Sequence, residues 1–462
     1  MLKIKLKEVR DPMARPYWKT ILAIAWPLII ANSFWNLQLT IDRIFLGSFA
    51  TEALGAAMAV MGVFWVPMAL LQQTAAYVTT FVAQYYGAGE EKNIGPALWQ
   101  AFFVAVVGGV LFLGLNLFSP AFFRMVGHGA SIEALEVSYF NALSYSALPT
   151  AIVAAVSGFF TGLGRTRMVI LINFIGLLLN VALDYLLIFG KLGFPALGIA
   201  GAGLATALAT YGAAAMGCYL LVHNAQAARF ALGDWKPRWQ LLTQFLKFGI
   251  PSGLQWALEG LAFTVFLIFM GRLSQGEAAL SSSSIAVTVM MLSVLPTMGV
   301  AQAVLTLVGQ KLGEKNPAEA QALTWAGVKI SSLYMAVVAA SFWLIPDFYL
   351  AWFKNDANPE LWAQVTLLAP QLLKMVALFT VFDSAYLNIS FALKGAGDTR
   401  FVSLVALVIP WPLMVLPAYL LQTHPNAAVY SWAWVVVYSV TITLVLCARF
   451  QQGKWKSMSV IN

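Results

Sequence analysis

The sequence predicts an all-α polytopic membrane protein, with twelve transmembrane helices in two pseudo-symmetric six-helix bundles. Three observations carry that expectation. Of 462 residues, 60% are hydrophobic and only 10% charged, whereas a soluble globular chain is nearer half apolar and about a quarter charged. The apolar residues fall into long blocks separated by short loops rich in Gly, Pro, Asn and charge. The second half of the chain also repeats the plan of the first.

The blocks lie at about 20–47, 54–85, 95–120, 134–162, 168–190, 197–223, 245–272, 278–310, 320–346, 361–394, 400–421 and 426–449. Each is at least ~18–20 residues, long enough to cross a ~30 Å hydrocarbon core as a helix. The first follows the basic segment "MLKIKLKEVRDPMARPYWK" without a small-residue cleavage site, so it is expected to be a retained anchor and not a signal peptide. The second closes in "QYYGAGEEKN". The third and fourth flank a loop with His128, and the fourth ends at "FFTGLGRTR". The fifth carries Asn180 and Asp184. The sixth opens with "GIAGAG", which follows no βαβ pattern and reads as close helix packing. A polar, basic linker at 223–244 leads to the seventh, which holds Glu259 in "WALEGLAF". The eighth ends in "GQKLGEKN", the ninth carries Lys329, and the tenth carries Lys374 and Asp383 and ends in "ALKGAGDTR". Two further blocks complete the set.

The repeat has three anchors. Pro27 and Gly47 align with Pro251 and Gly271 at an offset of 224, and Gln84 and Gly87 with Gln310 and Gly313 at 226. Gly164 and Arg167 align with Gly397 and Arg400 at 233. Matches in the same order at nearly constant spacing predict an N-lobe at 1–222, the linker at 223–244 and a C-lobe at 245–462. Trp35 is then the counterpart of Glu259.

Charge gives orientation. With both termini on one side, that side receives twenty Lys and Arg, and the other only Arg43, Arg124, Lys191, Arg272 and Lys354. Basic residues collect in short cytoplasmic loops, so both termini are expected in the cytoplasm and the protein in the plasma (inner) membrane. The net charge of +8 is therefore a topology signal, and no nucleic-acid partner is expected. Lys374 and Lys329 are expected to snorkel to the headgroups. Cys218 and Cys447 offer neither disulfide nor metal spacing and read as packing residues.

A charge at mid-bilayer costs at least ~2.5–3.5 kcal/mol, so intramembrane acids are functional candidates. There are four: Asp42, Asp184, Glu259 and Asp383. Counted from Lys247 and Lys394 at ~1.5 Å per residue, Glu259 and Asp383 lie ~18 and ~17 Å deep, at one level. Asp42 and Asp184 lie nearer the outer surface, with Asn180 one turn before Asp184. A carboxyl taken out of water resists ionisation. Such an acid either stays neutral in a structural hydrogen bond or exchanges a proton or binds Na⁺ or an organic cation. Aromatic residues near the acids (Phe34, Trp35, Trp65, Trp256, Phe382 and Tyr386, with Gln38) suit a cavity for bulky amphiphilic cations. No nucleotide-binding GxxxxGK[ST], HExxH or GxSxG motif occurs, and the three His residues lie apart, so no enzyme chemistry, ATP drive or cofactor is expected. The sequon Asn388-Ile389-Ser390 falls within the tenth helix and should be unreachable.

These segments resemble the multidrug and toxic compound extrusion (MATE) family. "ALKGAGDTR" (392–400) is the most specific. "IDRIFLGSFATEALGAA" (41–57), "QYYGAGE" (84–90), "LLNVALDYLLIFG" (178–190), "GIAGAGLATALAT" (198–210) and "GQKLGEKN" (309–316) follow the family order. The resemblance implies export of cationic aromatic drugs in exchange for inward Na⁺ or H⁺ by alternating access, and a monomer among membrane lipids. It assigns Glu259 and Asp383 to the C-lobe cation site of NorM-type members. It assigns Asp42, Asn180, Asp184, Thr206 and Tyr139 to the N-lobe site of DinF-type members. This chain carries both sets, and it has Tyr185 where DinF-type members often have Pro. The coupling ion and the lobe that binds it therefore stay open. A lipid-linked-precursor flippase of related fold is the alternative within transport; a channel or a membrane-embedded enzyme is the alternative outside it.

Overall fold

Apolar periodicity becomes helix along nearly the whole chain. The computed structural model describes residues 16–224, 226–273, 276–354 and 358–461. The basic residues Lys3, Lys5, Lys7, Arg10 and Arg15 of the expected cytoplasmic set lie outside the described residues. Among the described residues, eleven helices are long and apolar enough to cross a bilayer, and a bent pair makes the twelfth. They are α1 (Tyr17–Phe49), α2 (Thr51–Gly87), α3 (Glu91–Leu117), α4 (Ala130–Ser144 continued by Ala147–Gly162) and α5 (Arg167–Phe189). There follow α6 (Ile199–Val222), α7 (Trp239–Gly271), α8 (Gly276–Gly313), α9 (Pro317–Leu344), α10 (Pro359–Ala396), α11 (Thr399–Leu420) and α12 (Ala427–Gln451). The expected boundaries agree to within a few residues; the largest difference is α7, which already starts at Trp239.

Local breaks have local causes. α4 bends by 41° at Tyr145–Ser146, and Pro149 sits in the first turn of its second segment, where a missing N–H is tolerated. α11 is interrupted by a π turn at Trp411–Val415 that begins beside Pro410 and contains Pro412, since proline removes the i→i−4 bond. Gly164 and Gly397, equivalent in the repeat, both adopt positive φ (72° and 103°) just past α4 and α10. Only glycine takes that conformation freely, and it ends both helices in the same way.

The two halves pack reciprocally. α1 lies against α8 and α7 against α2, which is one contact seen from either half. Glycines allow the close approach: a Cβ on Gly299 would strike Ile29 of α1, and one on Gly253 would lie 2.6 Å from Thr74 Oγ1 of α2. The bonds joining the halves cluster at the face that carries the start of α1 and the end of α12, hereafter the terminal face. Gln84 Nε2 donates to Gly395 O at 2.9 Å, and Gln310 Nε2 to Gly162 O at 2.8 Å. Tyr77 Oη donates to Lys394 O at 2.8 Å, and the backbone N–H of Val460 to Gln84 Oε1 at 2.9 Å. The linker docks here too: Gly95 N–H donates to Phe230 O (2.8 Å), Trp99 Nε1 to Leu232 O (2.8 Å), and Arg165 pairs with Gln226.

One lysine departs from expectation. Lys394, taken as a marker of the membrane surface, is 2% exposed and packed within the protein. Its ammonium lies over the rings of Phe391 (4.7 Å) and Trp256 (5.7 Å). Lys374 rests half-buried on Trp343 at 5.6 Å, whereas Lys329 is exposed. Asn388 of the sequon is fully buried.

Candidate functional site

Two polar clusters occupy the bundles. In the first, α1 contributes Gln38 and Asp42, α4 Tyr139, α5 Asn180 and Asp184, and α6 Thr206, and every one of them is buried. Helical spacing explains the grouping: Gln38 and Asp42, and likewise Asn180 and Asp184, are four residues apart and share a face. The carboxyls of Asp42 and Asp184 interact electrostatically with each other, and Asn180 interacts with both. Asn180 Nδ2 also approaches Thr206 Oγ1 at 3.4 Å. Asp42 Oδ1, Asn180 Oδ1 and both Asp184 oxygens are buried without a donor. Buried acceptors of this kind are normally satisfied. Acid oxygens facing one another need a proton or a cation between them. Asp42 and Asp184 are both buried, and Asp42 lines a small cavity.

That cavity has a volume of about 30 Å³ and is lined by Trp35, Gln38, Asp42, Trp65, Tyr139 and Thr206, among others. It has room for one or two waters, not for a ligand of drug size. Phe34 does not line it; its ring packs on Phe174 of α5 at 5.7 Å.

The second cluster is in the other half. Glu259 accepts hydrogen bonds from Tyr386 Oη and from Gln255 Nε2 (3.1 Å). Gln255 Nε2 also lies 2.8 Å from Tyr386 Oη and 3.2 Å from Ser390 Oγ. Asp383, three residues before Tyr386, interacts electrostatically with Glu259, and so does Lys394. Glu259 and Asp383 are half-buried and Phe382 is 39% exposed, so this cluster is more open than the first. Trp256, next to Gln255, carries Lys394 on its face.

The repeat relates the two clusters. Trp35 corresponds to Glu259, and the 233-residue offset pairs Thr150 with Asp383. Trp35 and Thr150 both line the cavity in the first half. The same two stations therefore face the interior of both bundles, with acids at these stations only in the second.

Several residues escaped the sequence reading. Gln255, Ser390 and Lys394 belong to the Glu259 network. Glu136 is a fully buried fifth intramembrane acid, paired with His128 at 2.7 Å. In the sequence, Glu133 and Glu136 together look like a solvated helix start. The available signal was the three-residue step from Glu136 to Tyr139, which puts both on one face.

Comparison with known proteins agrees with this architecture. The MatE family model matches residues 27–186 and 251–420. A probable multidrug resistance protein NorM of Xanthomonas campestris is 29% identical over 462 residues, covering 96% of this chain and 96% of the relative. The corresponding protein of Thermotoga maritima is 25% identical over 452 residues, covering 96% and 94%. Among solved structures, a MOP superfamily transporter from Pyrococcus furiosus superposes with TM-score 0.85 at 20% identity, covering 96% of this chain and 98% of that one. An outward-facing multidrug resistance MATE transporter superposes with TM-score 0.82 at 21% identity, covering 96% and 98%. These superpositions establish a shared fold.

Proposed function

The chain belongs to the MatE family, and from that premise we propose that it is a secondary multidrug exporter driven by protons. The Asp42 and Asp184 pair exchanges the proton, and cationic aromatic compounds bind at Glu259 and Asp383. The observation that carries the reading is the set of enclosed, donor-free oxygens on Asp42, Asn180 and Asp184. Two carboxyls that approach one another directly accommodate one shared proton with little rearrangement, and their cavity is too small for a drug. The half-buried acids of the second half, beside the exposed ring of Phe382, suit an organic cation.

In this reading 1–222 and 245–462 act as two lobes joined by 223–244, in the plasma (inner) membrane with both termini cytoplasmic. The hydrogen bonds and glycine contacts at the terminal face then close the inner side, which corresponds to an outward-facing state. Binding of a proton in one lobe and a drug in the other biases the equilibrium between this state and its inward-facing counterpart.

The test is ethidium flux in proteoliposomes under imposed H⁺ or Na⁺ gradients. Export driven by a pH gradient and indifferent to Na⁺ is expected. Drive by Na⁺ alone would reassign the same oxygens to a sodium ion, and flux indifferent to both gradients would overturn coupling altogether.

A further inference from the structure

Asp42 and Asp184 are buried, so a proton needs a route to them from the face opposite the terminal one, here the distal face. We propose that His128 and Glu136 are the loading site for that proton, receiving it from distal solvent and passing it along α4 to Asp42 and Asp184. This rests on the acid pair being the proton-exchanging site.

The groups lie in order from surface to interior. His128 lies in the distal loop that precedes α4, and its side chain is 43% exposed. Its Nδ1 is 2.7 Å from Glu136 Oε1. Glu136 has no exposed surface, and its second oxygen, Oε2, is buried without a partner. Tyr139 follows one turn later on the same face of α4, lines the cavity, and interacts electrostatically with both Asp42 and Asp184. Residues three apart on a helix have Cβ atoms about 5–6 Å apart, so Glu136 and Tyr139 are neighbours on α4.

At the inner end of the series, Arg43 of α1 interacts electrostatically with Tyr139 and Asp42; around Glu136 itself charge is sparse. The packed neighbours of α4 in this region are α2, α3, α6 and the short helix Ser119–Val126. α3 between Ile94 and Leu117, and α6, carry no Asp, Glu, Lys, Arg or His. α2 carries only Glu52, exposed at its distal start. Ser119–Val126 carries Arg124, whose partner is Glu133 of α4 at 3.7 Å with an exposed guanidinium. His128 is therefore the group that Glu136 meets directly. Oε2, which has no hydrogen-bond partner, is the oxygen available to carry a proton inward.

The transfer balances as follows. His128 takes a proton from solvent at Nε2 and gives up the one on Nδ1 to Glu136 Oε1, leaving a neutral imidazole in the other tautomer, which a ring flip or proton exchange with solvent returns to its starting form. The Glu136 carboxylic acid then releases its proton to the Asp42 and Asp184 pair by way of the Tyr139 hydroxyl or a water, and is a carboxylate again. No co-reactant is consumed.

The experiment compares wild type, His128→Asn, Glu136→Gln and Asp184→Asn in proteoliposomes, measuring the initial rate of proton-driven ethidium transport against distal pH. Proton release on ethidium binding is measured at equilibrium in detergent. Glu136→Gln should slow proton-driven transport about 100-fold, the low end for loss of a positioned proton-transfer group, with equilibrium proton release intact. His128→Asn, at an exposed position, should move the pH at which the rate falls. An unchanged rate and pH profile in folded Glu136→Gln and His128→Asn would overturn the loading site. Proton release that survives in Asp184→Asn would overturn the acid-pair reading instead. If Glu136→Gln does not fold, the His128→Asn pH profile decides alone.

Discussion

Gln84 and Gln310 occupy equivalent places in the two halves, and each donates its side-chain amide to the other half: Gln84 to Gly395 O at 2.9 Å, Gln310 to Gly162 O at 2.8 Å. The acceptors are themselves equivalent in the repeat, at the 233-residue offset. The backbone follows the same rule. A Cβ on Gly87 would strike the carbonyl of Gln310, and one on Gly313 would strike that of Gln84. The terminal face is thus closed by one clasp used twice, related by the axis that relates the halves.

Breaking the clasp should be unequal despite the symmetry. Gln84 is 1% exposed and also accepts from Val460 N–H at 2.9 Å and from Ser459 Oγ at 3.2 Å. Gln310 is only half-buried. Gln84→Ala leaves a buried N–H and carbonyl unpaired, a cost of about 1–3 kcal/mol each; Gln310→Ala exposes one carbonyl. Thermal denaturation should show the larger loss for Gln84→Ala. Distances between spin labels on the terminal ends of α2 and α8 should lengthen in both variants.

The second cluster should respond to charge in opposite directions. Glu259→Gln keeps an acceptor for Tyr386 but removes the carboxylate, and ethidium binding should weaken roughly tenfold. Lys394→Met removes an ammonium that interacts with Glu259 while keeping contact with Phe391 and Trp256. Binding of cationic compounds should tighten by a similar factor. Fluorescence titration checks both, and no change in Lys394→Met would mean that its charge is not sensed at Glu259.

In the first cluster, Asp42→Asn and Asp184→Asn should each abolish proton release on ethidium binding, because one carboxyl with one amide cannot share and lose a proton as the pair does. The expected loss of gradient-driven export exceeds tenfold in each variant. Equal loss in the double variant Asp42→Asn/Asp184→Asn, measured by the same efflux assay, would mark the two as a single unit.

A wedge at the closed interface should act without touching either cluster. Gly253→Leu puts a side chain against Leu70 O and Thr74 Oγ1 of α2. Close packing there leaves no space for it, so α7 and α2 must move apart at this contact. Loss of transport with retained fold, shown by near-normal helical circular dichroism, is the expected result.

Helix number, order and pairing of halves were legible because long apolar blocks and a repeat of Pro27, Gln84 and Gly164 survive in the chain as text. The four acids were legible because a charge in an apolar block stands out. Burial was not legible: Lys394 looked like a surface marker, yet its stem and ammonium lie under Trp256 and Phe391. Glu136 was hidden for the converse reason. It lies one turn from the half-buried Glu133, and the packing of α4 against α2 and α6 separates their fates. Which oxygens lack a donor depends on three-dimensional approach between α1 and α5, and sequence spacing alone cannot supply it.

The smallness of the Asp42 cavity has a thermodynamic consequence. At about 30 Å³ it is too small for an aromatic drug. On the proposed reading, proton and drug then occupy separate seats, their antagonism is a linkage between remote sites, and such linkage is reciprocal. Whatever factor by which the drug weakens proton affinity, the proton weakens drug affinity by the same factor. A pair of equilibrium titrations, each in the presence and absence of the other ligand, would close that thermodynamic square.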